Sequence, residues 1–325
     1  MEWRLDKDSV TLEVSSSDPT DGASSTEKIT HLFSGRERHA VNAALAAGRP
    51  LLVRGEPGVG KTQLARATAK ALGRRFISKV IDARTESQDL LYTVDAVRRL
   101  ADAQLVGTSG LDEGEALEER LSELNYVEPG PLWWGFSWTE AHKQATRSKT
   151  CGAETPEDAP NGVVVLIDEI DKADSSVPNG LLESLGQREF AGPLGSTVRC
   201  DGAPPLIFVT TNEERSLPDA FLRRCLVLHL ALPEDDSDLT AWLMRRGQAH
   251  FAERIDDAIL EAAAKMLIED RRAAQRRQLS PPGGAEYLDL LRALATLGET
   301  REEQESFLED LREFTLQKHP RDGFG

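Results

Sequence analysis

The residues LLVRGEPGVGKT, from Leu51 to Thr62, contain the strongest fold signal in the chain. Their apolar beginning is typical of a strand buried on both faces, and apolar residues at helical spacing follow from Lys61 to Leu72. Between them, the segment that starts at Gly55 fits the pattern G-x-x-x-x-G-K-[ST] of a phosphate-binding loop. Glycines let backbone N–H groups surround phosphate oxygens, and the following helix N-terminus adds partial positive charge. The stretch therefore predicts a nucleoside triphosphate site at a strand-to-helix turn.

Two residues at the end of this loop have specific tasks in the prediction. Lys61 can reach the β- and γ-phosphates, and the Thr62 hydroxyl can ligate Mg²⁺. A chance match in a glycine-rich turn is the alternative, and the strand and helix on either side argue against it. The loop residues expected to contact the nucleotide are Gly55, Glu56, Pro57, Gly58, Val59, Gly60, Lys61, Thr62 and Gln63.

Short apolar runs alternate with helical patterns after residue 51, which predicts a parallel α/β sheet. The chain before them is polar, so residues 1–30 are expected to form an extension or linker. Within it, Asp6–Val14 is either a strand or a loosely ordered tail. The apolar runs are Leu51–Val53, Phe76–Ile81, Val163–Ile167, Leu206–Thr210 and Leu226–Leu230.

The remaining segments suggest a division into domains. Residues 31–232 are assigned to the α/β core, with a helical insert near 84–128 and a loop at 147–161. After Pro233 the chain is almost wholly helical, so residues 233–325 are predicted to form an all-α domain. Its expected helices lie at about 235–250, 254–278, 285–297 and 301–316.

Composition excludes several classes of protein. The 325 residues are 39% hydrophobic and 29% charged, as in ordinary globular proteins. The formal charge of −16 disfavours broad nucleic-acid binding, which needs a basic surface. Three distant cysteines support neither a disulfide framework nor a zinc site. No apolar run approaches the ~18 residues of a membrane helix, and the charged beginning is unlike a signal peptide, so a cytoplasmic location is expected.

Polar residues follow the later apolar runs. Asp168 and Glu169 end the third run; Asp168 would hold Mg²⁺ through water, and Glu169 would polarise the attacking water. Capping of the next helix is the alternative, and the upstream phosphate loop argues against it.

Asn212 follows the fourth run and suits orientation of a lytic water, although a turn has the same signature. Arg223 and Arg224 precede the fifth; a guanidinium can stabilise charge at a γ-phosphate, whereas paired surface arginines are usually solvated.

These motifs in this order resemble the AAA+ ATPases, in particular the MoxR-like group of the dynein-related subfamily, over about residues 31–315. Leu32-Phe-Ser-Gly-Arg-Glu and Leu217-Pro-Asp-Ala-Phe-Leu-Arg-Arg add to the likeness. The resemblance implies an AAA+ P-loop core, whose five-stranded parallel sheet has the order 5-1-4-3-2 and is flanked by helices, and a C-terminal all-α lid. It also implies that Asn212 is sensor 1 and that Arg224, or else Arg223, is an arginine finger presented to a neighbouring subunit.

The same resemblance implies hydrolysis of ATP with Mg²⁺ in a ring of identical subunits, most often a hexamer, that remodels or activates a client protein. Von Willebrand A-type proteins are frequent partners of this group. It further implies a hairpin within Arg188–Pro205. Two rival functions stay open: an ATP-gated assembly scaffold with slow hydrolysis, and a DNA- or RNA-acting motor, which the acidic charge disfavours. A GTP switch is less favoured, because no N-K-x-D motif occurs.

One departure from the family concerns sensor 2, an arginine near the start of the third lid helix. The matching segment here, residues 280–288, reads SPPGGAEYL and has no arginine. A solvated helix face is the preferred interpretation of the arginines nearby; substitution for sensor 2, or a partner or nucleic-acid patch, is the alternative. These candidates are Arg271, Arg272, Arg276 and Arg277.

Two further features, the tryptophan cluster and the pair His31 and Leu32, are also interpreted. The tryptophans within residues 133–138 are interpreted as core packing beneath the strand that ends at Asp168. A substrate grip or a base-stacking surface is the alternative. His31 and Leu32 lie where relatives contact adenine, which is what the resemblance implies for them.

Overall fold

A computed structural model of the chain describes residues 4–17, 24–109 and 115–316. It divides into two compact units, each built from segments that are discontinuous in sequence. Over its described part, the sheet unit comprises Met1–Asp6, Gly35–Val53 and Thr68–Leu228, and the helical unit comprises Lys7–Ser34, Arg54–Ala67 and His229–Gly325. The linear division into residues 1–30, 31–232 and 233–325 stays a prediction.

The helices and strands are named in chain order. The strands are β1 (Ser9–Ser17), β2 (Ser24–Leu32), β3 (Leu51–Arg54), β4 (Arg75–Val80), β5 (Tyr92–Val94), β6 (Val127–Pro129), β7 (Val163–Asp168), β8 (Glu189–Ala191), β9 (Thr197–Arg199), β10 (Leu206–Thr211) and β11 (Leu226–His229). The α-helices are α1 (Gly35–Ala47), α2 (Lys61–Ala71), α3 (Ala96–Ser109), α4 (Glu115–Arg120), α5 (Pro131–Phe136), α6 (Trp138–Ser148), α7 (Ser176–Gln187), α8 (Asp219–Leu222), α9 (Asp236–Phe251), α10 (Asp257–Arg276), α11 (Gly284–Leu297) and α12 (Arg301–Thr315).

The central sheet has the strand order β11-β3-β10-β7-β4. This is the predicted order 5-1-4-3-2, so the predicted fold class and its five strands are confirmed. Strands β10 and β4 both pair in parallel with β7, with Val209 opposite Ile167 and Val80 opposite Asp168. Every residue of β10 is buried, as expected for a strand covered on both faces. The polar residues that end β7 and β10 consequently lie at the same edge of the sheet.

The tryptophan cluster lies in the core of the sheet unit. Trp133 and Trp138 are only 6% and 7% exposed, and the Trp133 ring contacts Phe190 edge-on, with 6.2 Å between ring centroids. Helix α5 approaches β7 so closely that a Cβ at Gly135 would lie 2.8 Å from Val165 Cγ2. The core-packing interpretation of this cluster is therefore confirmed.

The region near residues 84–128 differs in part from its prediction. It contains α3 and α4, as expected, but also β5 and β6, which pair antiparallel. Each of these strands is three residues long, which is too short for a recognisable alternation of apolar and polar residues. The hairpin expected within Arg188–Pro205 is present as the antiparallel pair β8 and β9.

The helical unit begins with a hairpin in which β1 and β2 pair antiparallel, from Ser9 opposite Leu32 to Ser17 opposite Ser24. The strand alternative for the N-terminal segment is therefore correct, although the strand starts at Ser9 rather than at Asp6. Residues 18–23 of the expected linker lie outside the described residues. Strand β1 extends beyond its apolar part because a partner strand supplies its hydrogen bonds.

Helices α9 to α12 confirm the four helices expected after Pro233, with ends shifted by a few residues. Three of them begin at an N-cap whose side chain accepts a backbone N–H, at Asp235, Asp256 and Thr300. Their shared core includes the fully buried Leu243 and Tyr287. Among the described residues, none of the helices has the length and apolar character needed to span a membrane.

Candidate functional site

The phosphate-loop turn starts where β3 ends and depends on a close backbone contact. Leu230 donates its N–H to the Arg54 carbonyl at 2.8 Å. At the next residue, Gly55, the backbone runs so close to this segment that a Cβ would lie 2.2 Å from the Leu230 carbonyl oxygen. Real Cβ atoms do not approach an oxygen so closely, so the first glycine of the motif is required by packing as well as by phosphate chemistry.

The rest of the turn has the geometry of an anion site. Gly58 and Gly60 have φ values of +75° and +102°, a region that side-chain-bearing residues rarely adopt. Helix α2 begins at Lys61, and its ammonium donates to the carbonyls of Gly55 at 2.7 Å and Glu56 at 3.0 Å. Lys61 is only 8% exposed. A glycine turn, a helix N-terminus and a buried ammonium together suit a triphosphate.

A second cluster lies at the carboxyl ends of β7 and β10 in the sheet unit. The Thr210 hydroxyl donates to the Asp168 carboxylate through a short hydrogen bond. The same hydroxyl accepts the Glu169 backbone N–H at 2.9 Å. Thr210 therefore holds both acidic residues at the strand end. Sequence reasoning missed Thr210. In the parallel pair of β10 and β7, Val209 lies opposite Ile167, so the next residue of β10, Thr210, lies opposite Asp168.

Glu169 combines a strained backbone with two side-chain contacts. Its φ and ψ of 62° and 45° lie in the left-handed region, which costs free energy for a residue other than glycine. The Glu169 carboxylate accepts from Lys172 Nζ at 2.6 Å and lies 3.4 Å from Asn212 Nδ2. The structure thus brings Glu169 and Asn212 together, as their predicted tasks require. Lys172, which sequence reasoning missed, has a raised pKa chiefly because it donates to Glu169.

The two candidate finger arginines follow the short helix α8 and are both exposed. The guanidinium of Arg49 donates to the carbonyls of Arg223, Arg224 and Cys225, with Nε 2.9 Å from the Arg224 oxygen. A cleft of about 840 Å³ lies beside them, walled in part by Leu182 of α7. Arg49 was not among the predicted site residues, since it lies some 175 positions earlier.

The lid arginines differ from one another, and one of them corrects a prediction. Arg271 is 9% exposed and pairs with the Glu56 carboxylate at 2.6 Å, so a solvated helix face is wrong for this residue. Arg272 is exposed and pairs with Asp236. Arg276 and Arg277 are exposed, as the solvated interpretation expects.

The structure therefore assembles the predicted residues in two groups. Within the helical unit, the residues of the phosphate loop from Gly55 to Lys61 form one turn, with Arg271 beside it. Within the sheet unit, Asp168, Glu169 and Asn212 form the other group. That these groups meet around one magnesium triphosphate stays a prediction.

The fold and the glycine turn define a P-loop nucleotide-binding protein with an α/β core. The chain belongs to the AAA domain family, in its dynein-related subfamily, whose family model matches residues 50–246. The predicted resemblance to the dynein-related AAA+ ATPases is thereby confirmed. Membership implies a P-loop nucleoside triphosphatase, with nucleotide binding and, commonly in AAA+ proteins, assembly into rings.

Two solved structures are similar to this chain at low sequence identity. One, from Cytophaga hutchinsonii, is provisionally described as an ATPase; it is 14% identical, covers 84% of this chain and 78% of its own, and has a TM-score of 0.39. The other is a proline-to-glycine mutant of RuvB from Thermotoga maritima, 17% identical, covering 87% and 78%, with a TM-score of 0.40. None of the curated proteins matches the chain significantly.

Proposed function

We propose that this protein hydrolyses ATP to ADP and phosphate with Mg²⁺ and uses the reaction to remodel or activate a partner protein. The observation that carries the proposal is the group of Glu169, Asn212 and Asp168 at the end of β7 and β10. In the sheet, β10 lies between β7 and β3, the strand that leads into the phosphate loop. Parallel strands present their carboxyl ends at one edge, where ligands bind in open α/β sheets.

In the proposal, the chain supplies groups for binding and for charge stabilisation. Lys61 binds phosphate oxygens, and the N–H groups of the glycine turn surround them. The Thr62 hydroxyl and the Asp168 carboxylate are oxygen ligands of the kind Mg²⁺ prefers. A metal ion held by these two residues would neutralise part of the negative charge of the phosphates.

Activation of water is assigned to Glu169, with Asn212 as the residue that orients it. The side chain of Glu169 is 30% exposed, so water can reach its carboxylate. Its contact with Lys172 keeps a proton donor beside the carboxylate. General-base catalysis of this kind contributes about 10²–10⁴-fold to the rate.

The finer assignment is a MoxR-like, chaperone-type motor in which a ring, in most relatives a hexamer, carries one active site per subunit interface. The exposed arginines Arg223 and Arg224 suit a finger presented to a neighbouring subunit. A protein client, with a von Willebrand A-type partner as the first candidate, completes the proposal. Residues 31–232 would be the ATPase core and residues 233–325 the lid.

The deciding experiment replaces the proposed base. Glu169→Gln should retain ATP binding within about threefold, because the amide keeps the size of the side chain, and should lower turnover about 10²–10⁴-fold. Binding is measured with a fluorescent ATP analogue and turnover by phosphate release. Glu154→Gln, in an exposed loop, is the matched control. Turnover by Glu169→Gln at the wild-type rate would contradict the assignment.

A second candidate function, an ATP-gated assembly scaffold, is favoured by one observation. Residues 280–288 have no arginine at the sensor 2 position, and the nearest buried arginine, Arg271, is bound to Glu56. Assembled protein that binds ATP but hydrolyses it at a near-zero rate, with or without client proteins, would favour the scaffold. Stimulation of hydrolysis by DNA would instead revive a nucleic-acid motor.

A further inference from the structure

The second residue of the phosphate loop, Glu56, extends its side chain to the second lid helix within the helical unit. Its Oε2 accepts from Arg271 at 2.6 Å, and the two residues are 215 positions apart in the chain. The Arg271 side chain is 11% exposed, whereas the Glu56 side chain is 49% exposed. A guanidinium that is largely removed from water needs a partner, and a residue of the phosphate loop supplies it.

Arg271 also contacts the segment that leads into α11. The same guanidinium donates to the Pro282 carbonyl at 3.0 Å. Three residues later, in the first turn of α11, Ala285 donates its N–H to the Gly58 carbonyl of the phosphate loop at 3.2 Å. Glu286 caps this turn by accepting the Gly283 N–H at 2.9 Å. Arg271 thus connects the loop to two lid helices.

Glu56, the phosphate-loop residue bound to Arg271, is also in contact with Lys61. The Lys61 ammonium donates to the backbone oxygen of Glu56 at 3.0 Å, while the Glu56 side chain accepts from Arg271. Phosphate oxygens would compete with that carbonyl for the ammonium. If Lys61 releases the Glu56 carbonyl, the Glu56 backbone can shift, and its carboxylate, to which Arg271 is bound, shifts with it.

We propose that Arg271 is a positioning residue that, through Glu56, couples nucleotide binding at the phosphate loop to the lid helices α10 and α11. It would do so through the Glu56 carboxylate rather than by direct contact with the nucleotide, in a chain whose residues 280–288 contain no arginine. The inference rests on the proposed function only in assuming that the loop binds ATP. A solely structural role for Arg271 would leave the lid insensitive to changes at Glu56.

The test is a double-mutant cycle on the full chain, with Glu56→Gln, Arg271→Met and the double variant. Two quantities are measured: the Kd of a fluorescent ATP analogue, and hydrogen exchange of residues 280–297 with and without ATP. Arg271→Lys is included as the conservative variant. Arg272→Lys, which alters the adjacent exposed arginine on the same helix, is the matched control.

Glu56→Gln is expected to weaken ATP binding about tenfold, because the contact that orders the loop before binding loses its ionic character and becomes a weaker neutral hydrogen bond. The protection that ATP confers on residues 280–297 should disappear in the same variant. The double variant should be no worse than the poorer single variant, and Arg271→Lys should recover part of the loss. Arg272→Lys should behave as wild type.

Two outcomes would overturn the inference. One is additive effects in the cycle; the other is ATP-induced protection of residues 280–297 that persists in Glu56→Gln. Because Glu56 is half exposed on a loop, this variant remains informative even where Arg271→Met fails to fold. Failure of the wild-type chain to bind ATP would instead contradict the proposed function, so the two failures are distinguishable.

Discussion

His31, on strand β2, is a buried imidazole held in its neutral form. It is 3% exposed and packs edge-on against Phe33, with 4.7 Å between ring centroids. Burial is the main cause that lowers its pKa from 6.5 to about 3, and the positive charges of Arg246 and His250 on α9 add to the effect. Protonation of His31 therefore opposes the packing of the hairpin.

This environment predicts a pH dependence of stability. The unfolded chain binds a proton at His31 below pH 6.5 and the folded chain does so only near pH 3, so the stabilisation is complete above pH 6.5 and is lost as the pH falls. Between these two pKa values, the free energy of unfolding of the wild type should fall by up to about 1.4 kcal/mol per pH unit relative to that of His31→Gln. Urea unfolding at pH 7, 6 and 5 measures the difference. The exposed His39→Gln is the control, and parallel curves for wild type and His31→Gln would contradict the prediction.

At the scale of elements, the junction between α8 and β11 depends on Arg49, which follows α1. Its guanidinium donates to three successive carbonyls, those of Arg223, Arg224 and Cys225. These carbonyls belong to the three residues between α8, a helix of only four residues, and β11. Carbonyls just after a helix lack intrahelical partners, and here Arg49 supplies a donor. Arg49 therefore sets the backbone from which both candidate finger arginines project.

Arg49→Met should consequently weaken this junction. A charge-assisted hydrogen bond contributes about 1.5–3 kcal/mol to the free energy of unfolding. Because one guanidinium donates all three bonds, we expect Arg49→Met to lower this free energy by about 2 kcal/mol in total. Arg49→Lys should lose less, because it keeps the charge but not the planar fork. Thermal or urea unfolding measures the change, with the exposed Arg245→Met as the control. Equal stability of Arg49→Met and wild type would show that these contacts contribute nothing.

For the whole molecule, the proposed ring requires that one subunit complete the site of another. Arg223 and Arg224 are exposed and line a cleft beside α7. Because both side chains are exposed, an anion outside the chain can reach them.

Mixing of variants tests this requirement. Arg224→Ala and Glu169→Gln should each have low turnover alone, about 10²-fold or more below wild type. A mixture should regain activity, because some interfaces then combine an intact Glu169 with an intact Arg224. Arg223→Ala is tested in parallel to decide which arginine acts, and mass measurement with and without ATP reports assembly. Wild-type turnover in both arginine variants would rule out a finger at this position.

Much of the candidate site could be predicted because its signals are local. The phosphate loop, Asp168, Glu169 and Asn212 each follow directly on a buried strand, and a strand end is visible in a few consecutive residues. Thr210 and Lys172 were missed for a different reason. Their importance depends on strand register and on the left-handed turn at Glu169, and neither has a signature in the amino-acid pattern.

The five buried strands, the glycine turn and the four later helices are predictable from the amino-acid pattern, because hydrophobic periodicity and turn chemistry act over short stretches. Which polar side chains meet depends on the tertiary structure. The pairing of Glu56 with Arg271 joins residues 215 positions apart, and Arg49 reaches Arg224 across 175. The chain carries many arginines of equal local character, and only the docking of elements removes particular ones from water and gives them partners.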